Sequence, residues 1–154
     1  MRKSLIPHGG KHVEEGWLDL EELAQVEITS EDHTHPIESA LRSDGGLGWR
    51  AAGPGPQIIR LLFDQPLRIR QIHLVMEENE HPRTQEFVLR WSGNRGKSYR
   101  ECVRQQFNFS PPGTIKEEED YTVDLAEVTA LELEIKPDIG GGNARASLVR
   151  LRLA

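Results

Sequence analysis

Three stretches of this chain carry side chains able to do chemistry. The first, Glu77-Glu78-Asn79-Glu80-His81-Pro82-Arg83-Thr84, gathers carboxylates, an imidazole and a guanidinium between two alternating apolar runs. A connection between strands is where a rigid scaffold displays its binding groups. Glu80, His81 and Arg83 are therefore candidate contacts, able to hydrogen-bond a sugar or pair with a protein partner. The competing reading is a solvated hairpin tip in which Arg83 neutralises its own acidic neighbours. In the second stretch, His33-Thr34-His35 puts two imidazoles on one face of an extended segment, beside Glu31 and Asp32. Such a set suits zinc, whereas Pro36 and the polar surroundings suit an exposed loop. The third, Phe107-Asn108-Phe109-Ser110-Pro111-Pro112-Gly113, adds aromatic surface at a strand end. Phe109 there is a candidate for stacking on a ring, and core packing is its alternative.

Other stretches carry less. Ser92-Gly93-Asn94-Arg95-Gly96-Lys97-Ser98 ends like a phosphate-binding loop, but that pattern's first glycine falls on Trp91 and an alternating strand follows where a helix is needed. A hairpin turn is expected. Cys102 lies between Arg100 and Arg104, which would lower a thiol pKa, yet no His or Asn partner is evident and a half-buried strand cysteine is the simpler reading. Glu117-Glu118-Glu119-Asp120 reads as a solvated acidic loop before Tyr121. No acid pair stands out as a catalytic couple.

These groups must be positioned by strands. Ile59, Leu61 and Phe63 share one face, as do Ile72, Leu74 and Met76, while Ile69 is out of phase and calls for a bulge near Arg70-Gln71. Phe87, Leu89 and Trp91, then Tyr99, Val103, Phe107 and Phe109, then Leu131, Leu133 and Ile135, then Val149, Leu151 and Leu153 continue the period of two. Only Leu18–Ala24 and Pro36–Leu41 suit helices, both short. The expectation is an all-β, antiparallel jelly-roll β-sandwich of about eight strands with one or two short helices. Residues 1–24 are expected to form an N-terminal arm packed on a sandwich spanning 25–154. The chain has 154 residues, one domain's worth, with 36% apolar and 29% charged residues. A net charge of −6 argues against a broad grip on nucleic-acid phosphates. Arg60, Arg68, Arg70, Arg90, Arg100, Arg104, Arg150 and Arg152 would reopen that possibility if they merged into one face. A single cysteine and no secretory-type apolar stretch lead to an expected cytoplasmic location.

The order of segments resembles the coagulation factor 5/8 type C, or discoidin-like, domain of the galactose-binding-like superfamily. Ser39-Ala40-Leu41-Arg42-Ser43-Asp44-Gly45 with Trp49 is similar to that family's opening. Gln57 to Pro66, Phe87 to Asn94 with Ser98-Tyr99, and Ala146 to Leu151 are similar to its later strands. The resemblance implies a non-catalytic binding module for a carbohydrate or other small polar ligand, met by loops at one end of the sandwich. Glu80, His81 and Arg83 would serve with help from His33, His35 or Phe109. It also implies a possible calcium site at Asp44, with a plain turn as the alternative, and no other cofactor. The alternative function is an intracellular protein–protein, or nucleic-acid-repair-type, interaction scaffold.

Overall fold

The computed structural model describes residues 16–42 and 45–154. Asp44 and the first 15 residues lie outside the described residues, so the calcium reading finds neither support nor contradiction there. Among the described residues, two helical turns, α1 (Leu20–Leu23) and α2 (Glu38–Leu41), accompany eight strands. The strands are β1 (Ala24–Ile28), β2 (Trp49–Arg50), β3 (Gln57–Glu77), β4 (Arg83–Ser92), β5 (Arg100–Phe109), β6 (Lys116–Lys136), β7 (Ser147–Leu148) and β8 (Arg150–Leu153). All pairings are antiparallel. None of the described helices is long and apolar enough to cross a membrane.

The architecture rests on two strands of 21 residues each. β3 pairs over 59–63 with β1 and over 57–62 with 130–135 of β6, and β4 and β5 extend that layer to five strands in the order β1-β3-β6-β4-β5. Over 69–77, β3 pairs with 116–125 of β6 and with β8, making a second, three-stranded layer. The register slips between Leu62 and Leu67, between Leu67 and Ile69, and between Ile69 and Gln71. Bulges of this kind add twist and bend, and Pro66, which has no N–H to give a ladder, sits in the unpaired gap. The bulge at Arg70-Gln71 thus appears as expected, but the two strands expected around Pro66 are one strand turning a corner.

Between the layers, Ile59, Leu61, Phe63, Phe87, Leu89, Leu131 and Leu133 face Ile72, Leu74, Met76, Leu151 and Leu153, all buried. Phe87 of β4 meets Tyr121 of β6 edge-on across this interior, ring centroids 6.4 Å apart. Trp91 is only partly buried, and the Arg100 guanidinium lies 6.0 Å from its ring centroid. Leu18 donates its N–H to the Leu153 carbonyl at 2.8 Å, and Leu20 is buried.

The acidic run 117–120 is a correction. It begins β6, with Glu117 buried inward and Glu118 and Asp120 outward, because strand pairing with β3 satisfies its backbone. The arginines do not merge either. A row of opposite charges, Glu27, Arg60, Glu132, Arg90 and Glu101, crosses five strands in register. Glu132 takes Arg60 at 2.7 Å and Arg90 at 2.9 Å. Arg68 pairs with Asp124, and Arg104 with Glu86 and Glu101.

Candidate functional site

A cleft of about 170 Å³ opens at one end of the sandwich, where four segments converge. The β2–β7 pair, Trp49 opposite Leu148 and Arg50 opposite Ser147, forms its floor. Trp49 is buried and donates its indole N–H to the Ser30 carbonyl at 3.0 Å, which anchors that floor to the body. Ser147 Oγ donates to the Glu77 carbonyl at 3.1 Å, and Val149 N–H to the Val75 carbonyl at 2.8 Å. The end of β3 is thereby tied to the floor.

The turn carrying His35 is stitched on through Asp32 N–H to the Arg50 carbonyl, 2.8 Å, and Arg50 N–H to the His35 carbonyl, 3.2 Å. Asp32 accepts both the N–H and the hydroxyl of Thr34, which hold its carboxyl below the usual carboxylate range. The opposite rim is set by a glycine. Gly48 has φ +81°, and a Cβ there would lie 2.6 Å from the Leu148 carbonyl oxygen and 2.7 Å from Val149 Cα. Only glycine lets the 45–48 loop run so close to the floor, and Ser39 Oγ of α2 accepts its N–H at 3.0 Å. Leu47 consequently projects into the opening, 76% exposed.

The third wall, Glu78 to Glu80, hangs on one carboxylate. Glu78 Oε2 accepts the N–H groups of Glu80 and His81 at 2.9 and 3.2 Å, and Oε1 takes Arg83 Nε at 2.7 Å. Burial works to raise the pKa of Glu78, but these donors outweigh it and hold the acid below its ordinary range. Behind the wall, the Arg83 side chain is 1% exposed. It gives Nη1 to Gln85 Oε1 at 3.0 Å and to the Pro137 carbonyl at 2.7 Å, and its guanidinium lies 4.6 Å from the Phe109 ring centroid. Gln85 in turn donates to Glu117 Oε1 at 2.9 Å.

The structure therefore divides the candidate residues. His35 and Glu80 line the cleft. His81 is exposed beside Glu80, and His33 points to solvent with its side chain 96% exposed; neither lines the cleft. Arg83 and Phe109 are corrected: both are buried and support the wall from within, as a guanidinium out of water must be surrounded by acceptors. Arg83 does neutralise an acidic neighbour, Glu78. Leu47, Arg50, Asn79 and Arg145 also line the cleft and were missed. Their signal in the sequence was the turn-forming glycines, Gly45 to Gly48 and Gly140 to Gly142, which deliver Leu47 and Arg145 to one rim. Among the described residues Arg50 has no ion-pair partner, and Arg145 reaches Asp32 only at 3.9 Å. Broader depressions of about 370 and 380 Å³ lie on the large layer, one lined by the already paired Arg60.

At Ser92 to Ser98, the Ser92 hydroxyl accepts the N–H groups of Asn94 and Gly96, and Arg95 and Gly96 have φ of 59° and 81°. No helix follows this hairpin turn. Cys102 is the extra residue at a bulge opposite Leu89 and Arg90, with Sγ 3.4 Å from the Leu89 carbonyl oxygen. Burial pushes its thiol up, away from nucleophilic character.

No protein-family model and no curated protein matches the sequence. Solved structures do match in fold. A family 32 carbohydrate-binding module from Clostridium perfringens NanJ, solved with galactose, aligns with TM-score 0.58 at 16% identity, over 89% of this chain and 96% of that one. The C-terminal domain of a chitobiase from Bacteroides fragilis gives 0.63 at 16%, over 90% and 96%. The family 32 module of AlyQ, solved with 4,5-unsaturated mannuronic acid, gives 0.53 at 20%, over 86% and 95%. The chain thus shares the β-sandwich fold of these solved modules.

Proposed function

From that fold, we propose that the chain is a non-catalytic carbohydrate-binding module whose cleft takes a single sugar ring. One observation carries the reading: His35, Arg50, Glu80 and Arg145 surround the exposed Leu47 at one opening. A pyranose presents hydroxyls on its rim and a C–H patch on its face. The guanidinium groups donate to hydroxyls, the carboxylate accepts from them, and Leu47 covers the C–H patch. The cleft volume is below the roughly 300–1,000 Å³ typical of drug-sized sites, in keeping with one ring and the rest of a glycan in water. Binding through so few, wet contacts is expected in the micromolar to millimolar range, about −4 to −8 kcal/mol. The neighbours solved with galactose and with an unsaturated mannuronic acid are consistent with this use of the fold. The alternative scaffold loses its motive, since the arginine face it needs is interleaved with acids.

A glycan array followed by calorimetry tests the proposal. Arg145→Ala and Glu80→Gln should each weaken the best sugar about tenfold or more, and Leu47→Asp at least as much. A panel of neutral and acidic sugars with no ligand, or a ligand indifferent to all three changes, overturns it.

A further inference from the structure

The strand that sequence reasoning took for a loop brings a second group of side chains together. Asp120 stands directly opposite His73, and Glu118 opposite Val75, on the outer face of the three-stranded layer. His73 Nδ1 is 2.8 Å from Asp120 Oδ1, and Nε2 is 3.9 Å from Glu118 Oε2. Trp17 roofs the imidazole with centroids 6.1 Å apart, leaving the His73 side chain 13% exposed. Among the described residues this is the one group of three His, Cys, Asp or Glu side chains with ligand atoms all within 4.8 Å of one another.

We propose that His73, Glu118 and Asp120 form a site for a divalent transition-metal ion of the zinc class, separate from the cleft. Imidazole with carboxylate selects such an ion over calcium or magnesium, which prefer oxygen alone. An ion bonded at about 2.0–2.2 Å to each of Nε2 and Glu118 Oε2 spans the gap between them. Asp120 accepts the Nδ1 proton, which fixes the ring and aims the Nε2 lone pair at Glu118, and water fills the remaining positions. Two cations adjoin the group. Arg152 stands opposite His73 in the register of β8, with its Nη1 directed to the Ala40 and Leu151 carbonyls. Lys116 Nζ lies 3.6 Å from Glu118 Oε1 and competes for that carboxylate. The metal would clamp β3 to β6 directly beneath Trp17.

The test uses the full chain stripped with a chelator, titrated with zinc by calorimetry and with cobalt by visible absorption. One zinc per chain is expected. His73→Asn should abolish uptake, and Asp120→Asn should weaken it about 10- to 100-fold. Lys116→Ala should tighten it about two- to fivefold by releasing Glu118, and Glu80→Gln should leave it unchanged. Equal melting temperatures in chelator establish that each variant folds. No uptake by the native chain at about 1 mM zinc, uptake unaffected by His73→Asn, or uptake lost instead in His33→Ala/His35→Ala overturns the proposal.

Discussion

Replacing Glu117 by Gln should make the protein more stable at pH 8 while changing little at pH 5. Glu117 is fully buried on β6, with one oxygen taking the Gln85 amide and the other without a hydrogen-bond partner. Loss of solvation, then Glu119 one pleat further along the same face, pushes its pKa up from 4.5 to about 8. In the unfolded chain the acid ionises near its ordinary value. Between these two values the native state holds a proton that the unfolded state has released, so stability is full below about 4.5 and falls as pH rises toward 8. One proton on Glu117 sets the upper limit of the slope, about 1.4 kcal/mol per pH unit, or at most about 5 kcal/mol across the window. The assay is urea unfolding of both proteins from pH 5 to 9. Subtracting the variant removes carboxylates such as Glu78, whose pKa is lowered and whose contribution is lost only as pH falls below the ordinary range. A native-minus-variant difference that is flat, or that grows in favour of the native protein as pH rises, would refute the reasoning.

Other expectations are simpler. Arg83→Met should cost about 3–5 kcal/mol in denaturant unfolding, because it leaves Glu78 without its buried cation; Arg83→Lys should recover only part, since one ammonium cannot reach Glu78, Gln85 and Pro137 in the same fork. Gly48→Ala should lower thermal stability by about 1–3 kcal/mol through its positive φ and the Leu148 backbone, and weaken sugar binding along with it. Glu132→Ala, which strips both Arg60 and Arg90 of their shared acid, should cost more than Asp124→Ala, which breaks an exposed pair worth about 1 kcal/mol or less.

The period of two along β3, β4 and β8 was enough to read the antiparallel layers, and the phase error at Ile69 located a bulge. The acidic start of β6 was illegible because charge patterning predicts solvation on average, whereas one buried acid in a strand is decided by partners far off in sequence, here Gln85. The cleft suffered in the same way. Loop composition pointed to Glu80 and His35, which both line the cleft, but whether a loop arginine faces solvent or lies beneath the loop depends on what the neighbouring strand supplies. For Arg83 that was Phe109, Gln85 and the Pro137 carbonyl. Arg50 and Arg145 come to line one cleft where β2 pairs with β7, two-residue strands too short to leave a periodic trace.

Since β3 and β6 each run through both layers, neither layer owns a complete set of strands, and tearing one open pulls on hydrogen bonds in the other. Amide exchange in the interior of both should therefore proceed by a shared opening, with the same free energy at Leu61 as at Leu74. A molecule wired like this is expected to offer no half-unfolded refuge, with both layers lost together.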